Sequence, residues 1–379
     1  MKKTRSVLII ALLLTVLCAC SGSGAKGSTP AAGEESVVVE DLVGRKVVQD
    51  HVPQRVAAAG GPTYEMMFML GAKDRVIMVK SGHTTNYPLA LLTNPDLANY
   101  IGVQANPSSA VNIEDYLKND IDLVLYYDNE AELKKFENAN IPAAVLTLHT
   151  GSLDTLEEVK AQTIDEYLPN ATKTVRILAE LLQTEDVIAE YQDWERYCTE
   201  KLRMIHERTS SLTDAERKTV YWANTWGENV LASYTLKYLY YEIWLAGGIL
   251  VGPEGMSGNF PEVTKEQLFT WDPEVILVDN HGGYPELVKR DLYTNPDWSA
   301  LRAVQNGEIY SIPSGVFFLD KGSTTSLMIL WLATILQPDL FPDINMVEEI
   351  QYYYREFYEY ELTAEQAQHV LDGWFEKAN

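Results

Sequence analysis

A short segment of this chain occurs twice, once in each half of the sequence. The first copy is residues 111–129 and the second is residues 263–280. Each copy predicts a short helix, then a buried strand, then a polar loop, and the aligned helices carry Glu114 and Glu266 at the same place. A repeated unit of this kind predicts two similar lobes that face each other across a cleft.

Strands alternate with short helices on both sides of one long helical stretch. The alternation runs from residue 55 to residue 148 and resumes at residue 219. It predicts largely parallel sheets with helices on both faces. Between them, residues 186–206 carry apolar side chains at helical spacing, which predicts a helix long enough to cross from one lobe to the other. We therefore expect an α/β fold of two Rossmann-like lobes with central, mostly parallel sheets, bridged by a single long α-helix.

The N-terminus has the features of a bacterial lipoprotein signal. A basic stretch precedes the apolar residues 7–17, which are too few to span a bilayer. Small residues then lead to Cys20, which we expect to become the lipid-bearing first residue of the mature protein. The alternative is an ordinary secretory signal that is cleaved near Ala19. We expect an extracytoplasmic protein that is lipid-anchored to the bacterial cell membrane.

These patterns divide the chain into five regions. Residues 21–35 are rich in Gly, Ser, Ala and Pro, which predicts a flexible tether. The predicted boundaries are a lipoprotein signal peptide at 1–19, a flexible tether at 20–35, an N-terminal α/β lobe at 36–152, a helical region with the bridging helix at 153–212, and a C-terminal α/β lobe with terminal helices at 213–379.

Charge and cysteine content exclude several classes of protein. The chain has 54 acidic and 30 basic residues, a formal net charge of −24, which argues against nucleic-acid binding through general electrostatics. Only Cys198 would remain after signal removal and lipidation, so we expect no intramolecular disulfide and no metal site of paired thiolates. We interpret Cys198 as a small apolar packing residue.

Four stretches of the chain resemble one protein family in their order and spacing. They are residues 41–45 with 53–56, residues 65–72, the two helices that carry Glu114 and Glu266, and residues 331–333 with 338–341. The chain resembles the substrate-binding lipoproteins of ATP-driven importers for iron complexes and cobalamin, whose two lobes are bridged by one rigid helix. The resemblance covers nearly the whole chain after the tether.

The resemblance implies a membrane-anchored solute-binding component of an ABC importer. Such a protein captures an iron complex (a siderophore or haem) or a cobalamin-like ligand between its lobes and delivers it to the permease. The implied partners are the ABC permease and its ATPase subunits. The resemblance also implies a monomer without a cofactor and without enzymatic activity. The rigid helix implies a small rocking of the lobes on closure rather than a wide clamp.

In that family, one glutamate on each lobe docks onto arginines of the permease, and Glu114 and Glu266 stand at the matching positions. Charge-assisted pairs at two separated points would fix both lobes on a permease. The alternative is that both are solvent-facing residues near a helix N-terminus, where they stabilise the helix dipole.

The loops after the strands are the expected ligand site, because ligands of open α/β sheets bind beyond the carboxyl ends of the strands. These loops are rich in aromatic, amide and glycine residues, which suit a bulky organic ligand. The candidate ligand-binding residues are Tyr64, Lys80, His83, Tyr87, Tyr127, Asn224, Trp226, Phe260, His281, Tyr284, Phe317 and Lys321. His83 or His281 could ligate iron that the ligand carries, and Lys80 and Lys321 could meet anionic groups. The alternative for each is an ordinary role in packing or in solvent.

Two other functions are alternatives. The loops carry lysine where many siderophore binders of the family carry arginine, so an oxyanion such as molybdate is an alternative ligand on the same fold. An alternative of another class is a surface hydrolase. The sequence disfavours it, since it contains no Gly-x-Ser-x-Gly, Gly-x-x-x-x-Gly-Lys or His-Glu-x-x-His segment.

Overall fold

In the computed structural model, the first lobe alternates strands with short helices, as the sequence predicts. Its elements are β1 (Val37–Glu40), β2 (Lys46–Gln49), β3 (Val56–Ala58), α1 (Thr63–Met69), β4 (Val76–Lys80), α2 (Pro88–Thr93), β5 (Ile101–Val103), α3 (Ile113–Lys118), β6 (Leu123–Tyr127), α4 (Glu130–Asn138) and β7 (Ala143–Thr147). The first two strands form an antiparallel hairpin. The other five form one parallel sheet in the order β5-β4-β3-β6-β7.

The central strands of this sheet are buried on both faces. Every residue of β3, β6 and β7 is buried, including the two tyrosines of β6. Helices cover both faces of a parallel sheet, so such strands are continuous apolar runs rather than alternating ones. Fully burying one valine or leucine side chain stabilises the fold by roughly 1.5–3 kcal/mol. The sheet is therefore a firm support for the loops at its carboxyl edge.

Three helices connect the two lobes: α5 (Leu156–Ala161), α6 (Ile164–Leu182) and α7 (Glu185–Thr209). The bridging helix α7 has 25 residues, which corresponds to a length of about 37 Å. One face of α7 is buried through Val187, Tyr191, Trp194, Cys198, Leu202 and Ile205. The sequence predicts this helix and its buried stripe. It does not separate α6, a second long helix that packs along α7.

The second lobe repeats the pattern of the first. Its elements are β8 (Lys218–Ala223), α8 (Tyr238–Leu245), β9 (Gly248–Leu250), α9 (Lys265–Trp271), β10 (Val275–Val278), α10 (Pro285–Thr294), α11 (Arg302–Asn306), β11 (Ile309–Ser311), α12 (Thr325–Leu336), α13 (Met346–Phe357) and α14 (Ala364–Leu371). The four strands form a parallel sheet in the order β11-β10-β8-β9. The predicted fold class is thus confirmed: two α/β lobes with parallel sheets and a long helix between them.

The sequence repeat is also a repeat of backbone geometry. Asp120 follows α3 with a φ of 48°, and Asp272 follows α9 with a φ of 38°, so both turns use the left-handed conformation. The backbone N–H of Asp122 then donates to the carbonyl oxygen of Arg55, just before β3, and the Asp122 carboxylate accepts from the N–H groups of Gln54 and Arg55. Glu274 does the same with Thr219 of β8. Each lobe therefore joins its helix to its central strands in the same way.

The structure describes residues 36–83, 85–105, 109–147, 155–223, 231, 238–252, 261–279 and 285–374. They belong to one compact unit, Ser36–Asn379. The predicted signal peptide, tether and lipidation site at Cys20 lie outside the described residues. Within these ranges, no helix is both long and apolar enough to cross a membrane.

Candidate functional site

The carboxyl ends of the strands bring predicted site residues of both lobes together. In the first lobe, Gly60 and Gly61 follow β3, Lys80 ends β4, and Tyr127 ends β6. In the second lobe, the loop 317–321 follows β11. A ligand of an open α/β sheet binds at this edge. The ring contacts between the two lobes described below place their loops against each other.

Gly60 and Gly61 lie where the backbone has no room for a side chain. A Cβ atom at Gly60 would lie 2.9 Å from Oγ1 of Thr147, and one at Gly61 would lie 3.3 Å from its methyl group. The backbone N–H of Gly61 donates a hydrogen bond of 2.9 Å to the hydroxyl of Tyr127. The Thr147 hydroxyl is buried and has no hydrogen-bond partner among the described residues. Unpartnered polar atoms are costly to bury, so this one marks a place where a ligand could supply the missing bond.

Lys80 carries a half-buried ammonium group next to the Tyr127 ring. Its Nζ lies 5.9 Å from the centre of that ring. Burial lowers the pKa of Lys80, and no described carboxylate forms an ion pair with it. Lys321 of the second lobe also acts on Tyr127, whose pKa is raised by burial and then lowered by the Gly61 N–H and the Lys321 charge. Cations from both lobes therefore approach one tyrosine.

His83 is buried with both ring nitrogens lacking hydrogen-bond partners in the described structure. Its ring packs edge-on against Tyr87 at 5.4 Å and Phe317 at 5.3 Å, between ring centres. Burial, and then the charge of Lys80, lowers the pKa of His83 to about 3. The imidazole is therefore neutral at pH 7, with one N–H donor and one lone pair available.

The two lobes touch through aromatic rings at this point. The ring of Tyr87, from the first lobe, stacks on Phe317 of the second lobe with centres 5.3 Å apart and an angle of 30°. The same ring meets Phe318 edge-on at 5.4 Å. The described side chains of the two lobes are therefore in direct contact at this point of the cleft.

Carboxylates stand on the second-lobe side of the contact. Asp320 is buried, and its Oδ2 lies 3.9 Å from Nζ of Lys321. Asp279, which follows β10, is fully buried. After burial itself, the charge of Asp320 is the main reason why the pKa of Tyr87 is well above its usual value, and Asp279 contributes to it. Among the described residues, Lys80 on the first-lobe side has no ion pair, whereas Lys321 on the second-lobe side lies next to Asp320.

The remaining predicted residues differ in where they lie. Tyr64 is buried beneath the site, where its hydroxyl accepts a hydrogen bond of 2.9 Å from Asn94 and its ring lies 6.1 Å from His83. Five predicted ligand-binding residues lie outside the described residues: Asn224, Trp226, Phe260, His281 and Tyr284. Thr147 is not among the ligand-binding residues that the sequence predicts. Its signal is weak, a lone threonine that ends a strand.

Glu114 and Glu266 are exposed at equivalent points of the two lobes. Each is the second residue of its helix, α3 or α9. Asn112 precedes the first helix, and Thr264 caps the second through a reciprocal pair of hydrogen bonds with Gln267. Neither carboxylate forms an ion pair in the described part of the chain, so both are available to a partner.

Comparison with known proteins identifies a matching sequence family and relatives that cover most of the chain. Residues 56–316 match the sequence profile of a family described as periplasmic binding protein. The molybdate-binding protein MolA of Haemophilus influenzae is 23% identical over 338 residues, which cover 85% of this chain and 90% of that protein. The matched profile spans both lobes and the helix between them.

Two solved structures illustrate the likeness of the fold. A periplasmic solute binding protein from Veillonella parvula has a TM-score of 0.70 at 22% identity, covering 89% of this chain and 97% of that chain. MolA of Haemophilus influenzae bound to molybdate has a TM-score of 0.69 at 21% identity, covering 86% of this chain and 99% of that chain.

Proposed function

Because the chain belongs to the periplasmic binding protein family, we propose that it is the solute-binding component of an ABC importer and captures a small oxyanion of the molybdate class between its lobes. The observation that carries the choice of ligand is the half-buried ammonium of Lys80, which no described carboxylate neutralises. A buried charge without a partner is costly, and an anionic ligand would relieve that cost.

Hydrogen-bond donors around Lys80 support the same class of ligand. The neutral imidazole of His83 has one N–H to give, and the Thr147 hydroxyl lacks a partner among the described residues. A tetrahedral oxyanion offers several acceptor oxygens within a small radius. The similarity to a protein named for molybdate binding adds support that is independent of these contacts.

The contact between Tyr87 and Phe317 supports a compact ligand rather than haem or a cobalamin-like molecule. Their rings stack across the cleft with centres 5.3 Å apart. A bulky organic cargo between them would have to separate the two rings and break this contact. Closing two aromatic faces over a small anion instead excludes water, which strengthens each polar contact inside.

Delivery would follow from docking of both lobes on a permease. Glu114 and Glu266 are exposed on helices that the two lobes present in the same way. We propose that both glutamates pair with arginines of the permease, since charge-assisted pairs at two points fix the orientation of the docked protein. The proposal includes anchoring of the protein to the membrane through lipidated Cys20, with the ATPase subunits acting on the permease. We also propose that the protein acts as a monomer.

A second candidate is a metal complex with an open coordination site. The observation that favours it is His83, because a neutral imidazole with an unpartnered nitrogen is the form that ligates metals. An iron complex of a siderophore would then be the cargo. The two candidates differ in the residue that contributes most to ligand affinity. It is Lys80 for the oxyanion and His83 for the metal complex.

Titration calorimetry with molybdate, tungstate, sulfate and a ferric hydroxamate complex would test the proposal. We expect molybdate and tungstate to bind and Lys80→Met to weaken that binding at least tenfold. The matched control is Lys134→Met, since Lys134 is an exposed first-lobe lysine paired with Glu137. Equal molybdate binding by the Lys80 variant, or binding of the ferric complex alone, would refute the oxyanion assignment.

A further inference from the structure

Glu65 is a carboxylate buried at the junction of the two lobes. It lies on α1 of the first lobe and is 1% exposed. Its Oε2 accepts a hydrogen bond of 3.0 Å from the backbone N–H of Ser323. The hydroxyls of Ser323 and Tyr358 both donate to its Oε1. All three donors belong to the second half of the chain, so one side chain of the first lobe holds two elements of the second.

The bridging helix joins the same group of hydrogen bonds. The indole N–H of Trp194, on α7, donates to the carbonyl oxygen of Ser323 at 2.9 Å. The hydroxyl of Tyr353, on α13, donates to that carbonyl at 2.9 Å and lies 2.8 Å from the Ser323 hydroxyl. Gly322 has a φ of 76°, and a Cβ there would collide with the Glu65 carboxylate. The turn can approach Glu65 this closely because residue 322 is glycine.

The hydrogen bonds between Glu65 and Ser323 join two segments that are each next to the ligand cleft in the chain. Helix α1 starts at Thr63, immediately after the Gly60–Gly61 backbone and Pro62. Ser323 comes two residues after Lys321, which ends the cleft loop 317–321. A shift of Ser323 away from Glu65 would therefore move the second-lobe side of the site relative to the first-lobe side.

In the described part of the chain, tyrosines surround the Glu65 carboxyl. The titratable groups that face it are Tyr353, Tyr354 and Tyr358 at the end of the chain, each influenced by its charge. No lysine, arginine or histidine of the described residues acts on it. Burial raises the pKa of Glu65 to about 7, although the hydrogen bonds from Ser323 and Tyr358 act in the opposite direction. The carboxyl is thus poised to exchange a proton near neutral pH.

We propose that Glu65 is a positioning residue for the ligand site, a proton-responsive tie that keeps the cleft loop 317–321 in place against the first lobe. The proposal rests on the proposed function only in taking that loop to contact the ligand. When the junction opens, water reaches the carboxyl and its pKa returns toward the usual range. The joined form therefore binds the proton more tightly than the open form, and acid favours the joined form.

The pH window follows from this linkage. Glu65 titrates near pH 7 in the joined form and near the usual pKa of glutamate in the open form. Below that usual pKa, the stabilisation of the junction by the proton is fully present. It is lost as the pH rises through about 7. Between pH 6 and 8, the protection of the Ser323 amide against hydrogen exchange should fall about tenfold, after correction for the intrinsic exchange rate.

Hydrogen exchange measured by mass spectrometry on the full chain tests this with two variants. Glu65→Gln cannot titrate, so protection over the cleft loop and Ser323 should no longer depend on pH. Tyr358→Phe removes one donor that lowers the pKa of Glu65, so the fall in protection should move to higher pH. The matched control is Glu132→Gln, at a buried first-lobe glutamate that pairs with Lys135 instead, and it should keep the tenfold fall.

A tenfold fall that persists in Glu65→Gln would overturn the proposal, as would an unchanged midpoint in Tyr358→Phe. Molybdate affinity measured over the same pH range separates this proposal from the choice of ligand. We expect the affinity to weaken with rising pH in the native protein and to stay constant in Glu65→Gln. If no variant binds molybdate, the oxyanion assignment fails, while the exchange profiles still decide the role of Glu65.

Discussion

The carboxylate of Asp41 accepts a hydrogen bond of 3.0 Å from the backbone N–H of Val145, which lies 104 residues later in the chain. Its other oxygen accepts from the backbone N–H groups of Val43 and Arg45. Asp41 is 1% exposed. One side chain thus shapes the turn between β1 and β2 and fastens that hairpin to β7 at the edge of the first sheet.

Replacing Asp41 with alanine should lower the free energy of unfolding by about 2–4 kcal/mol, because buried N–H groups would lose a charged acceptor. Urea denaturation gives the value. Asp50→Ala, at an exposed position next to the same hairpin, should change it by less than about 0.5 kcal/mol. A similar small change for the Asp41 variant would mean that water replaces the lost bonds.

The guanidinium of Arg217 stacks on the indole of Trp244, 3.5 Å from the ring centre. It also donates to the carbonyl oxygens of Trp244 and of Thr209, the last residue of α7. Lysine cannot reproduce a planar fork, so Arg217→Lys should cost about 2–3 kcal/mol of unfolding free energy.

Arg203→Lys is the matched control for Arg217, since Arg203 is an exposed α7 residue with one ion pair to Asp165. It should be nearly neutral. Thermal denaturation of both variants compares the two positions under the same conditions. Equal melting temperatures would indicate that the contact with Trp244 adds nothing to stability.

The pH dependence of stability should carry a contribution from His83. Its pKa in the folded protein is about 3, below the usual 6.5, because burial disfavours the charged imidazole. The unfolded chain therefore takes up a proton first as the pH falls. The stabilisation is present above pH 6.5 and is lost toward pH 3, by about 1 kcal/mol per pH unit.

Urea titrations at several pH values should show a shallower loss between pH 6 and 4 in His83→Phe than in the native protein. His51→Phe is the control, because the side chain of His51 is 59% exposed. An identical slope in all three proteins would show that His83 accepts a proton within the folded state.

Reversing the charge of Glu114 and Glu266 together should abolish transport and leave ligand affinity unchanged, since rim charges set orientation at an interface. Uptake into proteoliposomes and calorimetry give the two quantities. Glu130→Arg with Glu286→Arg is the matched pair, because both are exposed glutamates in the first turn of a helix. Transport that survives in the Glu114 and Glu266 double variant would contradict docking through these residues.

Much of the fold can be predicted from the sequence because periodicity is a local property. The apolar stripe of α7 and the repeated helix–strand unit are visible in a window of a few turns. The tie at Glu65 is not, since the hydrogen bond from Ser323 joins residues 258 positions apart. A glutamate in an apolar helix gives no sign of its distant partners.

The candidate site was predictable in part for the same reason. Lys80, His83 and Phe317 are found by the rule that ligands meet the ends of strands. Their unpartnered atoms and the stacking across the lobes appear only in three dimensions. The loops with Trp226 and His281 lie outside the described residues. The ligand-binding role of every predicted site residue stays a prediction.

The bridging helix is fixed to both lobes. Arg75 of the first lobe donates to Thr184, which precedes the helix, while Trp194 and the carbonyl of Thr209 bond Ser323 and Arg217 of the second lobe. We expect such a helix to keep the arrangement of the two lobes nearly the same with and without ligand. A permease that distinguishes the loaded from the empty protein would then gain little information from the angle between the lobes. The permease would instead have to recognise the loaded form at the opening of the cleft, through the few side chains that the ligand rearranges.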